Sequence, residues 1–296
     1  MATVTFALVG PGAIGSTIAA LLYAAGHDIV LCGRTARAQI EVRVDGEQPI
    51  VVPGPVCTDP DTVTGPVDVV LLAVKDTQYA DAAPWLARLC GPDTVVCALQ
   101  NGVEQADRLR PHCPEPAVVP AAIWIAAETQ PEGWVRVMSA PRLVLPADAA
   151  ATRLAAALDD SGITVDLDPD FLSAAWRKLL VNAVVGFMVL SGRRSGMFRR
   201  DDVAALARRY LTECLAVARA EGATLPDGVV DEITGMLEQA PADMATSMLI
   251  DRQADRTLEW DIRNGVIQRK GAAHGIATPI SDILVPLLAA ASDGPG

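Results

Sequence analysis

The sequence predicts an α/β domain of the doubly wound kind over residues 1–168, followed by an all-helical domain over residues 169–296. Three observations predict it. Short, near-continuous apolar runs recur through the first half, and strands apolar on both faces belong to parallel sheets covered on both sides. Segments of helical length alternate with those runs. Beyond about residue 168 only helix-length segments remain, and a chain of 296 residues has room for about two domains of roughly 150 residues each.

Taken in order, Thr3–Val9 reads as a strand ending at Gly10, and Ala13–Ala25 as the first helix. Asp28–Cys32, Val67–Val74, Thr94–Leu99 and Ala117–Ala122 supply further strands. Trp124–Glu128, Trp134–Met138 and Arg142–Leu145, separated by Gly/Pro turns, read as hairpin strands closing the first domain. Asp170 is placed to cap a long helix, Phe171–Leu190. Asp201–Glu221, stopped by Gly222, and Val229–Gln239 follow. Asp243–Lys270 reads as one long helix stopped by Gly271, and Pro279–Ala291 as the last, kinked at Pro286. The tail Ser292–Gly296 reads as disordered.

Composition narrows the function. With 51% hydrophobic and 20% charged residues the chain can build a sizeable core, which excludes disorder over most of its length. Lys and Arg number 24 against 36 Asp and Glu, a net charge of −12, the opposite of a nucleic-acid binder. An anionic ligand would therefore need a local basic pocket. The six cysteines form no C-x-x-C pair, so the expectation is reduced thiols in a cytoplasmic protein, with neither a disulfide framework nor a metal site. The N-terminus lacks a basic segment before its apolar run, and no run of ~18 uncharged apolar residues points to a membrane partner.

Gly10-Pro11-Gly12-Ala13-Ile14-Gly15 is G-x-G-x-x-G between a strand and a helix, the context in which this spacing binds a dinucleotide pyrophosphate. The glycines permit a tight turn and close backbone approach, and the helix N-terminus supplies N–H donors and partial positive charge. The second strand ends in Leu31-Cys32-Gly33-Arg34, with no carboxylate for a ribose 2′-hydroxyl. Arg34 and Arg37 follow instead, and a guanidinium fork suits a 2′-phosphate. The expected cofactor is NADPH/NADP+, with Arg34 the leading contact, although a solvated loop would also carry such arginines.

Lys178 and Asn182, at i and i+4, share one helical face among apolar neighbours. Spacing alone leaves two readings open: a lysine snorkelling to solvent, or one facing a polar cavity. Lys75 and Gln100-Asn101-Gly102 follow two of the strands, at the edge where open α/β sheets bind ligands. On a continuous helix Ser247 and Asp251 would share a face, while Glu259 would lie twelve residues beyond Ser247 and ~18 Å along the axis. Spacing does not make these one site, and Asp251, Arg252, Asp255 and Arg256 read as solvated surface.

Together these residues carry a resemblance. The chain resembles the ketopantoate reductase (2-dehydropantoate 2-reductase) family over nearly its whole length, in GPGAIGS at the N-terminus, Val74-Lys75, Gln100–Gly102, WRKLLVNA at Trp176–Ala183, the stretch from Thr246 to Gly265, and AHGIATP at Ala273–Pro279. The resemblance implies a Rossmann-type first domain, a helical second domain, a substrate cleft between them, and an NADPH-dependent oxidoreductase of pantothenate biosynthesis. It would reduce a small 2-oxo acid; independently of the resemblance, the exposed faces of the helical domain could support a homodimer. The resemblance further implies Lys178 as catalytic lysine and Glu259 as active-site glutamate. Lys75 and Asn101 would lie near nicotinamide and substrate, and Asn182 and Ser247 would bind substrate. Gly10, Gly12, Ala13, Ile14, Gly15 and Arg34 would hold the cofactor.

Three positions depart from the family pattern: Gly186 and Met244 stand where asparagines are usual, and Ala121-Ala122-Ile123-Trp124 where small hydroxyl residues are usual. Unpaired polar groups discriminate strongly between substrates. These departures leave open a different ketone or imine as substrate, or a catalytically silent NADP(H)-binding protein.

Overall fold

The computed structural model describes residues 4–113 and 117–294, and the chain divides into two compact units, Met1–Phe171 and Leu172–Gly296. Thr3, Pro295 and Gly296, included in the expected first strand and tail, lie outside the described residues.

The first unit is built on a parallel sheet of five strands: β1 (Phe6–Val9), β2 (Ile29–Cys32), β5 (Val69–Leu72), β6 (Val95–Ala98) and β7 (Ala117–Pro120), in the order β2-β1-β5-β6-β7. Every residue of β1, β5 and β6 is buried, as the uninterrupted apolar runs require. Alternate residues serve opposite faces. Phe6, Leu8, Leu31, Val69, Leu71, Val95 and Cys97 pack with α1 (Ala13–Ala24) and α4 (Ala149–Leu158) on one face. Ala7, Val9, Val70, Leu72, Val96 and Ala98 pack with α2 (Tyr79–Leu89) and α3 (Gln105–Leu109) on the other. In α2 the buried Tyr79, Ala82, Trp85, Leu86 and Leu89 recur at helical spacing. Asp148 caps α4, its carboxylate accepting from the Ala151 N–H at 2.8 Å.

Two smaller sheets replace the expected run of hairpins. One orders β4 (Ile50–Pro53), β3 (Gln39–Val44), β10 (Val135–Val137) and β9 (Ala127–Thr129); the other orders β12 (Thr164–Asp168), β11 (Arg142–Pro146) and β8 (Ala122–Trp124). Of the three segments read as hairpin strands, only β9 and β10 pair as consecutive antiparallel neighbours; β10 also pairs in parallel with β3, and β11 with β12. The partners β3, β4 and β12 carry half-exposed alternation rather than solid apolar runs, which is why they escape a search for buried strands.

The second unit is helical throughout its described residues: α5 (Phe171–Val184), α6 (Gly186–Ser191), α7 (Asp201–Ala220), α8 (Val229–Gln239), α9 (Ser247–Gln253), α10 (Val266–Ala273) and α11 (Ser281–Ser292), with a π turn at Asp261–Gly265. The expected helix Phe171–Leu190 breaks at Val185 into α5 and α6. By length and composition Phe171–Ser191 would reach across a bilayer, although Arg177 and Lys178 keep it from being an uncharged run; 67% of its most apolar window is buried inside the protein. Helix α11 continues through Pro286, and Ser292, expected in a loose tail, is its last residue and accepts a hydrogen bond from the Leu258 N–H.

The expected helix Asp243–Lys270 is corrected most. Thr246 caps α9, which ends at Gln253. Asp255 then takes a left-handed backbone (φ 50), a conformation that Asp tolerates better than most side chains. The Arg256 N–H returns to the Asp251 carbonyl at 2.9 Å, and its side chain pairs with the buried Asp251 carboxylate at 2.8 Å. Arg252 donates to the Val189 and Leu190 carbonyls at the end of α6. Asp251 and Arg252 are therefore structural ties rather than solvated surface.

Candidate active site

In the first unit the three glycines divide the work that the motif demands. Gly10 has φ 97, and a Cβ there would stand 2.8 Å from Val74 Cγ1 and from the Val74 nitrogen. A Cβ on Gly15 would strike the Gly10 carbonyl and lie 2.9 Å from both Ala73 Cβ and Leu8 Cδ1. Gly12 is the opposite: among the described residues nothing stands within 4 Å of its Cβ position. It precedes α1, whose N-terminus has no side-chain cap and no acidic residue in its first turn. Open space over the free N–H groups of a helix start, which Ala13, Ile14 and Gly15 occupy, fits a pyrophosphate.

Arg37 is tied down. Its Nη2 donates to the Pro11 carbonyl at 2.6 Å, bracing the glycine loop, and burial pulls its pKa below the usual arginine value. Arg34 is exposed and makes no hydrogen bond or ion pair among the described residues, which leaves its fork available to a 2′-phosphate.

β1 and β5 are neighbours although the chain visits β2 between them, so the glycine loop lies at a switch point of the sheet. Lys75 follows β5 directly beside the Val74 that crowds Gly10. Gln100, buried after β6, donates from Nε2 to the Leu72 and Val74 carbonyls at 2.8 and 2.9 Å, joining the exits of β5 and β6. Gln105 holds the following turn through the Gln100 and Gly102 carbonyls. The structure thus brings the glycine loop, Lys75 and Asn101 to one sheet edge, with Gln100 as the structural member of its motif.

In the second unit Lys178 and Asn182 lie half-buried one turn apart on α5. Burial first, and the charge of Arg263 second, lower the Lys178 pKa to about 7. Arg263 is 3% exposed. Its Nη2 donates to Glu259 Oε2 at 2.8 Å and to Ser247 Oγ at 3.1 Å. The break between α9 and the π turn thus brings Ser247 and Glu259 to the same guanidinium, where an uninterrupted helix would hold them well apart. Sequence reasoning missed Arg263; its i,i+4 spacing from Glu259 was a signal, but one equally common on solvated helix faces. A π turn inserted into a helix, as at Asp261–Gly265, often marks a functional position.

Asn264 was also missed. It is fully buried and donates from Nδ2 to the Ala183 carbonyl at 2.9 Å and to Tyr210 Oη at 3.0 Å. A Cβ on Gly186 would lie 3.0 Å from that same nitrogen. The room an asparagine would need at 186 is therefore already taken by an amide from another segment. Met244 is 37% exposed, and its carbonyl accepts from the Ser195 N–H at 3.1 Å. Trp124 lies in β8 opposite Arg142 of β11.

Known proteins resemble this chain from end to end. The family model for ketopantoate reductase PanE/ApbA matches residues 6–149, and its C-terminal counterpart matches residues 170–292. A 2-dehydropantoate 2-reductase of Mycobacterium tuberculosis (strain H37Rv) is 67% identical over 290 residues, covering 98% of each chain. One of Caulobacter vibrioides is 35% identical over 289 residues, covering 97% of this chain and 99% of its own. Among solved structures, the dimeric ketopantoate reductase of Staphylococcus aureus superposes with a TM-score of 0.87 at 29% identity, covering 98% of this chain and 99% of that one. A PanE/ApbA family ketopantoate reductase of Ralstonia eutropha JMP134 gives 0.86 at 31% identity, covering 98% of each. With both halves matched in order, the chain belongs to the ketopantoate reductase family.

Proposed function

We propose that this chain is an NADPH-dependent reductase of a 2-oxo acid, and that 2-dehydropantoate is the substrate. The observation that carries the reading is Lys178: an amine on an apolar helix, brought to about 7, beside a buried Arg263–Glu259 pair and one turn from Asn182. Such an amine exchanges its proton near neutral pH, which is what a general acid for carbonyl reduction needs. The 67% identity to the mycobacterial 2-dehydropantoate 2-reductase supports the choice of substrate.

The cradle at Gly12 and the N-terminus of α1 would hold the cofactor pyrophosphate, and Arg34 the 2′-phosphate. The cofactor held there would supply a hydride to the keto carbon. As the new C–H bond forms at the keto carbon, the carbonyl electron pair moves onto oxygen. The Lys178 ammonium stabilises that charge and gives up its proton, so the product leaves as a 2-hydroxy acid. Glu259 acts as the paired carboxylate that orients the cationic groups. Ser247, Asn182 and Asn101 hold the substrate by hydrogen bonds, and Lys75 adds positive charge at the sheet edge. We place the enzyme in the cytoplasm, where its six free thiols remain reduced. We also read it as a homodimer, in keeping with the dimeric Staphylococcus aureus relative.

The test is consumption of NADPH with a panel of 2-oxo acids and neutral ketones. Turnover is expected with 2-dehydropantoate and not with NADH at equal concentration, and Lys178→Ala should abolish it while NADPH binding persists. Turnover only with other carbonyls would overturn the substrate assignment, and near-normal turnover in Lys178→Ala would remove the lysine from the chemistry.

A further inference from the structure

We propose that Arg263 is a positioning residue that makes this site select carbonyl substrates carrying a carboxylate, an inference that rests on the reductase reading above. Arginine is almost never buried without a task, yet Arg263 is 3% exposed and its Nε has no hydrogen-bond partner among the described residues. Two contacts define what it does. It donates to Ser247 Oγ at 3.1 Å and to Glu259 Oε2 at 2.8 Å from one nitrogen.

The first contact sets a direction. A serine hydroxyl carries one proton and accepts through its lone pairs. Since Ser247 accepts from Arg263, its own proton is free to point outward, and Ser247 is exposed at the first residue of α9. A hydroxyl held in this way donates to an acceptor such as a carboxylate oxygen. A simple ketone offers no such oxygen beside the reacting carbon, and the uncharged carbonyl of an ester accepts more weakly than a carboxylate.

The second contact sets the charge. Glu259 is buried and its negative charge repels an anion; the guanidinium offsets it. Counted over Lys178, Arg263 and Glu259, the cluster carries one net positive charge when the lysine is protonated. A partly buried net positive charge favours an anionic substrate in a protein that is otherwise acidic, at −12 overall. Arg263 acts through these two groups and need not touch the substrate.

The experiment compares one 2-oxo acid with its neutral methyl ester on the same protein preparation, so the ratio of the two kcat/KM values is independent of how much protein is folded. In Arg263→Met the acid-to-ester ratio should fall about tenfold or more, mainly through KM for the acid. Arg263→Lys, which keeps the charge and loses the fork, should recover part of the ratio. Ser247→Ala should lower it too, and the double variant should fall by less than the two single effects combined. An unchanged ratio in Arg263→Met, or equal losses on acid and ester, would overturn the proposal. If the unmodified protein reduces neither compound, the reductase reading fails. Calorimetric binding of oxamate against its neutral methyl ester then decides the role of Arg263. Selective weakening of oxamate in Arg263→Met upholds the role, and equal affinities overturn it.

Discussion

The Arg263 guanidinium and the Glu259 carboxylate, four residues apart and 2.8 Å from each other, form an ion pair whose side chains are only 4% and 9% exposed. Removing one member of such a pair leaves the other charge buried with a partner fewer, which is destabilising, whereas replacing both by apolar groups can be nearly neutral. Arg263→Met alone should therefore lower stability markedly in urea denaturation. The double variant Arg263→Met, Glu259→Leu should be more stable than the single one. Simple addition of two separate losses would show that the pair is not coupled.

Lys178 predicts a pH profile. Its amine is shifted down from 10.5 to about 7, by burial first and by Arg263 second. The protonated amine is the proton donor for reduction, so kcat/KM for the 2-oxo acid should be level below that value and fall as pH rises through it. Oxidation of the 2-hydroxy acid needs the neutral amine and should rise over the same interval. Arg263→Met removes one of the two lowering causes, so the midpoint should move to higher pH. A reduction rate that stays level from about pH 6 to 9 would exclude Lys178 as the titrating donor.

Gly186 predicts a packing penalty. Its Cβ position is 3.0 Å from Asn264 Nδ2, and that amide is held by the Ala183 carbonyl and Tyr210 Oη. It cannot step aside without breaking one of two buried hydrogen bonds. Gly186→Asn, which would restore the residue more usual in the family, should lower stability by about 1–3 kcal/mol, the range for overpacking a filled core. A thermal melt equal to that of the unmodified protein would show that Asn264 yields freely. Gly186→Asn combined with Asn264→Gly should recover part of the loss.

How far the sequence discloses the site follows the distance over which each part is encoded. The α/β sheet was legible because Phe6–Val9, Val69–Leu72 and Val95–Ala98 are buried on both faces and so carry unbroken apolar runs. The glycine loop was legible because its geometry is contained in six consecutive residues. Strands β3, β4 and β12 were not, since they are half-exposed and carry no solid apolar run, and β3 pairs in parallel with the distant β10. The cluster at Arg263 was hidden for a different reason. Its members come together only because Asp255 turns the chain left-handed and Asp251 binds Arg256 across the break, and periodicity through Asp243–Lys270 reads that break as continuous helix. The Gly186–Asn264 fit joins residues far apart in sequence, and spacing within a single helix carries no trace of it.

The glycine loop predicts that two apparently similar substitutions should fail in different ways. At Gly15 a methyl group meets the Gly10 backbone carbonyl, which cannot swing aside, together with Ala73 Cβ and the end of the buried Leu8 side chain. Gly15→Ala should therefore destabilise the first unit, by about 1–3 kcal/mol, and weaken NADPH binding only as a consequence. At Gly12 nothing stands within 4 Å, and the backbone there (φ −80, ψ −165) is one that any L-residue adopts. Gly12→Val should melt at the temperature of the unmodified protein. Yet its side chain fills the space over the free N–H groups of α1, so NADPH should bind at least about tenfold more weakly by fluorescence titration, a loss of roughly 1.4 kcal/mol. Arg34→Ala should show a third pattern, weaker NADPH binding with NADH binding nearly unchanged, because only the 2′-phosphate distinguishes the two. Normal NADPH affinity in Gly12→Val would mean that the cofactor does not lie across this turn. In that event the open space above Gly12, the uncapped helix start and the unengaged Arg34 would share no ligand.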